Sequence, residues 1–136
     1  MIISWNTTNA CNMFCDHCYR DAGCKADEEL NTQEAKTLLE QIAKAGFKIM
    51  IFSGGEPLMR PDIVELVEYA TKLGLRSVFG TNGTLITEEM ALKLKNAGAM
   101  GMGISLDSMD AEKHNNFRKF PNAWEGAVRG MRNCRK

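Results

Sequence analysis

"KIMIFSGGEPLMRPDIVELVEYATKLGLRSVFGTNG", residues 48–83, changes its apolar period twice within one unit. Its first part is a continuous apolar run that ends at Gly54 and Gly55, the pattern of a strand buried on both faces. The middle part, from Pro61 in the first turn to Gly74 past the last, reads as a helix. "RSVFGTNG" is then a second strand. Strand, helix, strand is the repeating unit of a parallel sheet.

The same order extends in both directions. Upstream, "MIISW" (1–5) is a short strand, and "LNTQEAKTLLEQIAKAGF" is an amphipathic helix. Asn31 or Thr32 can cap that helix with Glu34 nearby, Ala35, Leu38, Leu39, Ile42 and Ala43 recur at helical spacing, and Gly46 stops it. Downstream, Thr87 caps a helix closed by Gly98, "MGMGISLDS" is a fourth strand, and Trp124, Ala127, Val128 and Met131 mark one face of a last helix. The strands begin near residues 2, 48, 76 and 101. This spacing predicts an α/β fold of about four right-handed βα units on a parallel sheet. A closed (β/α)8 barrel takes about 250 residues, so a partial barrel is expected. "GMRNCRK" ends without a capping glycine or a polar tail, and the chain is expected to continue in the intact protein.

Composition narrows the partners. Lysine plus arginine equals aspartate plus glutamate at 17 each, so no whole-chain attraction to nucleic acid or to an anionic membrane is expected. No apolar run approaches the roughly 18 residues of a membrane span, and "MIISWNTTNA" lacks the basic and apolar regions of a secretion signal. A cytoplasmic location is expected. Five cysteines, three of them crowded into "CNMFCDHCYR" (11–20), make a poor disulfide framework and a better metal cage in a reducing compartment.

In a parallel α/β fold, the loops after the strand C-termini share one face. Those loops here are "NTTNACN", "SGGEP", "GTNG" and "SLDS". Cys11, Cys15 and Cys18 are one thiolate short of a closed zinc site and of an ordinary four-cysteine cluster. Three readings stand: a cluster with one iron left open, zinc with Cys24 or His17 as a fourth ligand, or three side chains packed on a helical face. Asn9, Asn12, Asp16 and His17 around them suit a polar loop better than a core stripe. "SGGEP" alone signals only a tight turn, Asn82 an Asx turn, and Asp107 or Ser108 a helix cap. His17 and His114 read as exposed or packing residues, Cys134 as structural on the last helix, and Met100 and Met102 as interior; Cys24 has no assignment.

Cys11, Cys15 and Cys18, spaced C-x3-C-x2-C and followed by the aromatic Tyr19, resemble the signature of the radical S-adenosylmethionine (SAM) superfamily. The resemblance implies a [4Fe-4S] cluster on the three cysteines. SAM would chelate the fourth iron and be cleaved by one electron to a 5′-deoxyadenosyl radical. It also implies a turn, Gly54, Gly55, Glu56 and Pro57, that receives the SAM ammonium, with Tyr19, Asn82 and Ser105 near the cofactor and Arg118 at its carboxylate. Arg suits that place because its planar fork grips a carboxylate at two points. Within the superfamily, the chain resembles enzymes of heme d1 and alternative heme biosynthesis, which shade into peptide maturases with a cysteine-rich SPASM extension. The implied protein is an oxidoreductase or lyase. Residues 1–136 would be the N-terminal part of its core domain, acting on a tetrapyrrole or a peptide and fed by an electron donor such as ferredoxin or flavodoxin. A non-catalytic iron–sulfur electron carrier is the competing reading from another class.

Overall fold

The structure, a computed structural model, describes residues 1–135. Its four strands, β1 (Ile2–Asn6), β2 (Ile49–Ser53), β3 (Arg76–Thr81) and β4 (Ala99–Ile104), form one sheet in the order 1-2-3-4. Every neighbouring pair is parallel. Helices α1 (Thr32–Lys44), α2 (Ile63–Lys72) and α3 (Glu88–Ala97) make the crossovers. The expected partial βα barrel is present. Sequential strands lie side by side, so the sheet grows in one direction and all four C-termini emerge at one end.

Local chemistry explains most boundaries. Asn31 and Glu34 complete a reciprocal capping box on α1, and Thr87 caps α3 through the Met90 amide. Gly46, Gly74 and Gly98 all take positive φ just past a helix, where a Cβ would be strained. Pro61 lies one residue before the Asp62 cap of α2 rather than in its first turn. The core fills the space between sheet and crossover helices: Leu39 and Ile42 from α1, Met50 and Phe52 from β2, Leu66 and Val67 from α2, Phe79 from β3, Leu94 from α3. Phe52 stacks on Phe79 with centroids 5.4 Å apart and tilts against Trp5 at 6.2 Å. Those rings lock three adjacent strands.

The region after β4 departs from expectation in three ways. A helix absent from the pattern, α4 (Ala111–Arg118), is capped by Asp110, and only His114 of its eight residues is buried. A helix this polar carries no apolar period to read. The last helix, α5 (Ala123–Asn133), buries Ala123, Gly126, Ala127 and Gly130 rather than a Trp/Val/Met stripe. Small residues are required there because a Cβ at Gly130 would stand 2.4 Å from the Gly83 carbonyl oxygen, and one at Gly126 would stand 2.6 Å from the Thr84 methyl. Met100, expected inside, is 64% exposed. Ala99 pairs with Ser77 and Gly101 with Val78, so Met100 is the extra residue of a bulge and its side chain turns outward. Met102 packs against the core as expected. Among the described residues, no helix is long and apolar enough to cross a membrane.

Candidate functional site

The four loops at the C-terminal end of the sheet are bound to one another. The loop after β1, which carries the three cysteines, is pinched at its neck by a parallel bridge between Ala10 and Gly23. The Cys11 amide donates to the Gly23 carbonyl at 2.9 Å, and the Gly23 amide to the Asn9 carbonyl at 2.9 Å. Below the neck, the amides of Gly55 and Glu56 donate to the carbonyls of Thr8 and Ala10, each at 2.8 Å. A Cβ on Gly54 would lie 2.4 Å from the Thr8 oxygen, and one on Gly55 would lie 2.4 Å from the Ala10 oxygen. The double glycine therefore brings the turn against the cysteine loop.

Glu29 and Arg60 hold the same loop from its far side. Glu29 accepts from the Asn9 amide at 2.7 Å, the Ala26 amide at 3.0 Å and the Thr8 hydroxyl at 3.0 Å. Arg60, buried beside the Trp5 ring, donates to the carbonyls of Thr7 (2.9 Å) and Leu30 (2.8 Å), which start and end the loop. Its Nε pairs with Asp62 at 2.7 Å. The sequence gives no sign of either residue: an Arg before a Pro and one acid among several look like surface.

Burial pushes the pKa of Glu29 and Asp62 up, but hydrogen bonds from Asn9, Ala26 and Thr8, and from Arg60 and Thr32, bring both below their ordinary values of 4.5 and 3.8. A depressed carboxyl pKa stabilises the fold above the unfolded value, and that contribution is lost as pH falls through the folded one. Amide protection at Asn9, Cys11 and Gly23 is therefore expected to be constant from neutral pH down to about 4.5 and then to fall. Glu29→Gln should lower protection several-fold at neutral pH and flatten the step. A wild-type profile without a step in the acid range would refute this clamp.

Inside the loop, Met13 is 2% exposed and plugs it to the body of the protein. The three thiols lie close enough to feel one another's charge: Cys15 and Cys18 act on Cys11, and Cys18 acts on Cys15. Burial pushes the Cys11 thiol up, with the charge of Glu56 adding to it. Cys18 Sγ accepts the Ala22 amide at 3.4 Å. Among the described residues, no three His, Cys, Asp or Glu side chains are placed to hold one metal ion. Three soft sulfur donors gathered on one loop are a donor set that iron–sulfur clusters and zinc both accept. Cys24 is exposed just past the neck, and Cys134 is exposed at the end of α5 rather than structural. Tyr19, expected near a cofactor, is 81% exposed.

Glu56, expected to offer its charge to an ammonium, is fully buried. Its carboxylate accepts from the Leu58 amide (3.1 Å), the Thr81 hydroxyl (2.8 Å) and the Asn82 amide (2.8 Å). It ties the turn after β2 to the turn after β3. Burial raises its pKa against those three hydrogen bonds. Pro57 begins the short 3-10 turn that Glu56 caps. Asn82 forms the Asx turn, accepting from the Thr84 amide at 3.0 Å, and its Nδ2 also donates to Asn12 Oδ1 at 2.8 Å. Asn12 lies between Cys11 and Cys15, so Asn82 positions the cysteine loop as well as its own turn.

The loop after β4 completes the arrangement. The Ser105 amide donates to the Thr81 carbonyl at 3.0 Å. Arg118, expected at a ligand's carboxylate, holds Asp107 in its fork instead, with Nε at 2.6 Å from Oδ2 and Nη2 at 2.8 Å from Oδ1. That pairing keeps Asp107 below the usual carboxylate range. Burial pushes the Cys15 thiol's pKa up, and the same guanidinium pulls it down. His114 is a packing residue, 1% exposed, whose Nδ1 accepts the Asp107 amide at 3.2 Å. Burial lowers its pKa. His17 is exposed and stacks on Phe117 at 3.9 Å.

The family model described as Radical SAM superfamily matches residues 5–136. Over 136 residues the chain is 44% identical to an Fe-coproporphyrin III synthase of Methanosarcina barkeri, which covers 99% of this chain and 34% of that protein. An AdoMet-dependent heme synthase of Oleidesulfovibrio alaskensis is 45% identical over 131 residues, 96% of this chain and 34% of its own length. The mycofactocin maturase MftC of Mycolicibacterium smegmatis is 36% identical over 96% of this chain and 33% of its length. The chain thus spans about a third of the curated relatives it matches. Among solved structures, native anSMEcpe with bound AdoMet superposes with a TM-score of 0.76 over 98% of this chain and 40% of that one. At 21% identity, that likeness concerns the fold.

Proposed function

The chain belongs to the radical SAM superfamily, and on that premise we propose that Cys11, Cys15 and Cys18 hold a [4Fe-4S] cluster in the N-terminal part of an enzyme that modifies a tetrapyrrole side chain. One observation carries this reading: three thiols lie within mutual electrostatic reach on a loop fixed at its neck, plug and far side. Cys11, Cys15 and Cys18 would hold the cluster, whose chemistry would be one-electron reductive cleavage of the sulfonium of SAM to methionine and a 5′-deoxyadenosyl radical. The residues of the chain do the positioning. Gly54, Gly55 and Pro57 set the turn against the loop, and main-chain groups of that turn are the polar surface it offers an ammonium, because the Glu56 carboxylate is spent inside. Asn82 and Ser105 bring the ends of β3 and β4 to the same face.

The tetrapyrrole rests on the relatives named for coproporphyrin and heme, at 44% and 45% identity against 36% for the maturase. The electron is proposed to come from a low-potential carrier of the ferredoxin or flavodoxin kind. The test is the EPR spectrum of the anaerobically reconstituted, dithionite-reduced protein. SAM is expected to shift the g-values, since it takes the iron that no cysteine holds. A spectrum indifferent to SAM would point to a plain electron carrier and sink the proposal.

A further inference from the structure

Two arginines stand at the cysteine loop, and their surroundings differ. Arg60 spends its guanidinium on the carbonyls of Thr7 and Leu30 and on Asp62. Arg20, two residues past Cys18, spends none of its own. Among the described residues it has no hydrogen-bond or ion-pair partner, although the residue is half-buried and water does not reach its Nε. An arginine cannot shed its charge, so burying part of it unpaired carries a cost that a partner is expected to offset. Arg20 lines a hollow of about 250 Å3 with Trp5, Asn6 and Asn9 at the end of β1 and Glu28 and Glu29 on the returning chain. Asn9 belongs to the neck of the cysteine loop, and β1 is the first strand of the sheet, so the hollow lies between that neck and a free sheet edge.

Resting on the tetrapyrrole reading above, we propose that Arg20 binds one carboxylate of the substrate, with the exposed Asn6 amide beside it. Propionates are the charged side chains of a coproporphyrin-type ring. The planar guanidinium fork presents paired N–H groups that the two oxygens of a carboxylate match. The hollow is smaller than the roughly 300–1,000 Å3 that encloses a whole drug-sized ligand, so it takes one carboxylate-bearing side chain and leaves the macrocycle outside. A side chain held there keeps the rest of the ring next to the cysteine loop, whose neck forms one wall. The two acids of the lining act unequally. Glu29 already accepts from Asn9, Ala26 and Thr8. Glu28 is exposed and has no partner among the described residues, so it opposes a bound carboxylate and limits how tightly Arg20 holds it.

The test is titration of the anaerobically reconstituted protein with coproporphyrin III, followed through the shift of its Soret band. Arg20→Gln is expected to weaken binding about tenfold or more. Arg20→Lys, which keeps the charge and loses the fork, is expected to fall between that variant and the wild type. Glu28→Gln, which removes the opposing charge, is expected to tighten binding about two- to threefold. The response of the EPR spectrum to SAM is expected to be the same in all of these proteins, which separates a lost substrate contact from a disturbed cysteine loop. Wild-type affinity in Arg20→Gln overturns the proposal and leaves the tetrapyrrole reading standing. Loss of the SAM response together with porphyrin binding in Arg20→Gln overturns it too, since Arg20 would then support the loop. If Arg20→Gln does not fold, Glu28→Gln decides alone, and unchanged affinity there overturns the proposal. A wild-type protein that responds to SAM and binds no coproporphyrin overturns both this inference and the tetrapyrrole reading beneath it.

Discussion

Cys15→Ala is expected to lose essentially all of the roughly four irons per chain that reconstitution gives the wild type. 5′-Deoxyadenosine formation should fall to background with it. A cubane already held at three corners has no spare protein ligand, so removing one leaves two irons exposed to exchange. The fold should hardly respond. Cys15 is half-buried, and trimming its thiol is expected to cost about 1 kcal/mol or less. Cys11→Ala and Cys18→Ala should behave alike, while Cys24→Ala and Cys134→Ala should keep their iron, since both are exposed outside the pinched loop. Iron analysis beside a thermal melt separates cluster loss from unfolding. Full iron in Cys15→Ala, or equal loss in Cys24→Ala, would contradict the assignment.

Glu56→Ala is expected to destabilise the protein by about 3–5 kcal/mol, a large part of the 5–15 typical of a domain. The change orphans the Leu58 and Asn82 amides and the Thr81 hydroxyl in a place that water does not reach, and it leaves a cavity. Glu56→Gln should cost less, about 1–2 kcal/mol. The amide keeps one acceptor oxygen for Leu58 and Thr81 but sets a donor against the Asn82 N–H. Urea denaturation measures both. Because Asn82 also holds Asn12 inside the cysteine loop, the Ala variant should retain less iron even where it stays folded. A carboxylate facing the cofactor rather than the core would give the reverse pattern: little change in stability and a large loss of SAM binding.

The difference between these two residues shows how far a linear reading reaches. Cys11, Cys15 and Cys18 lie within one short stretch, and their spacing alone brings them into one loop. Glu56 and Arg118 carry their charges openly in the sequence, but a charge has no meaning until its neighbours are known. The acid that looks ready for an ammonium is sealed between two strand ends. The arginine that looks ready for a carboxylate already holds one, from a residue 11 positions earlier. Arg60 and Glu29, which brace the cysteine loop, look like ordinary surface residues for the same reason. Met100 was misplaced by a different effect: alternation along β4 assumes an unbroken register, and a bulge between Ser77 and Val78 breaks it.

Apolar periodicity, caps and glycine stops were enough to determine the parallel βα order, because helix and strand burial imprint distinct repeats on neighbouring residues. The cysteine spacing was enough to bring the three proposed donors into one loop. What only the tertiary structure decided is which polar side chains brace the site and which remain free to act in it. Hydrogen bonds among residues 20 to 70 positions apart, as between Glu29 and Asn9 or Asn82 and Asn12, leave no periodic trace in a chain, since their partners become neighbours only when the strands align.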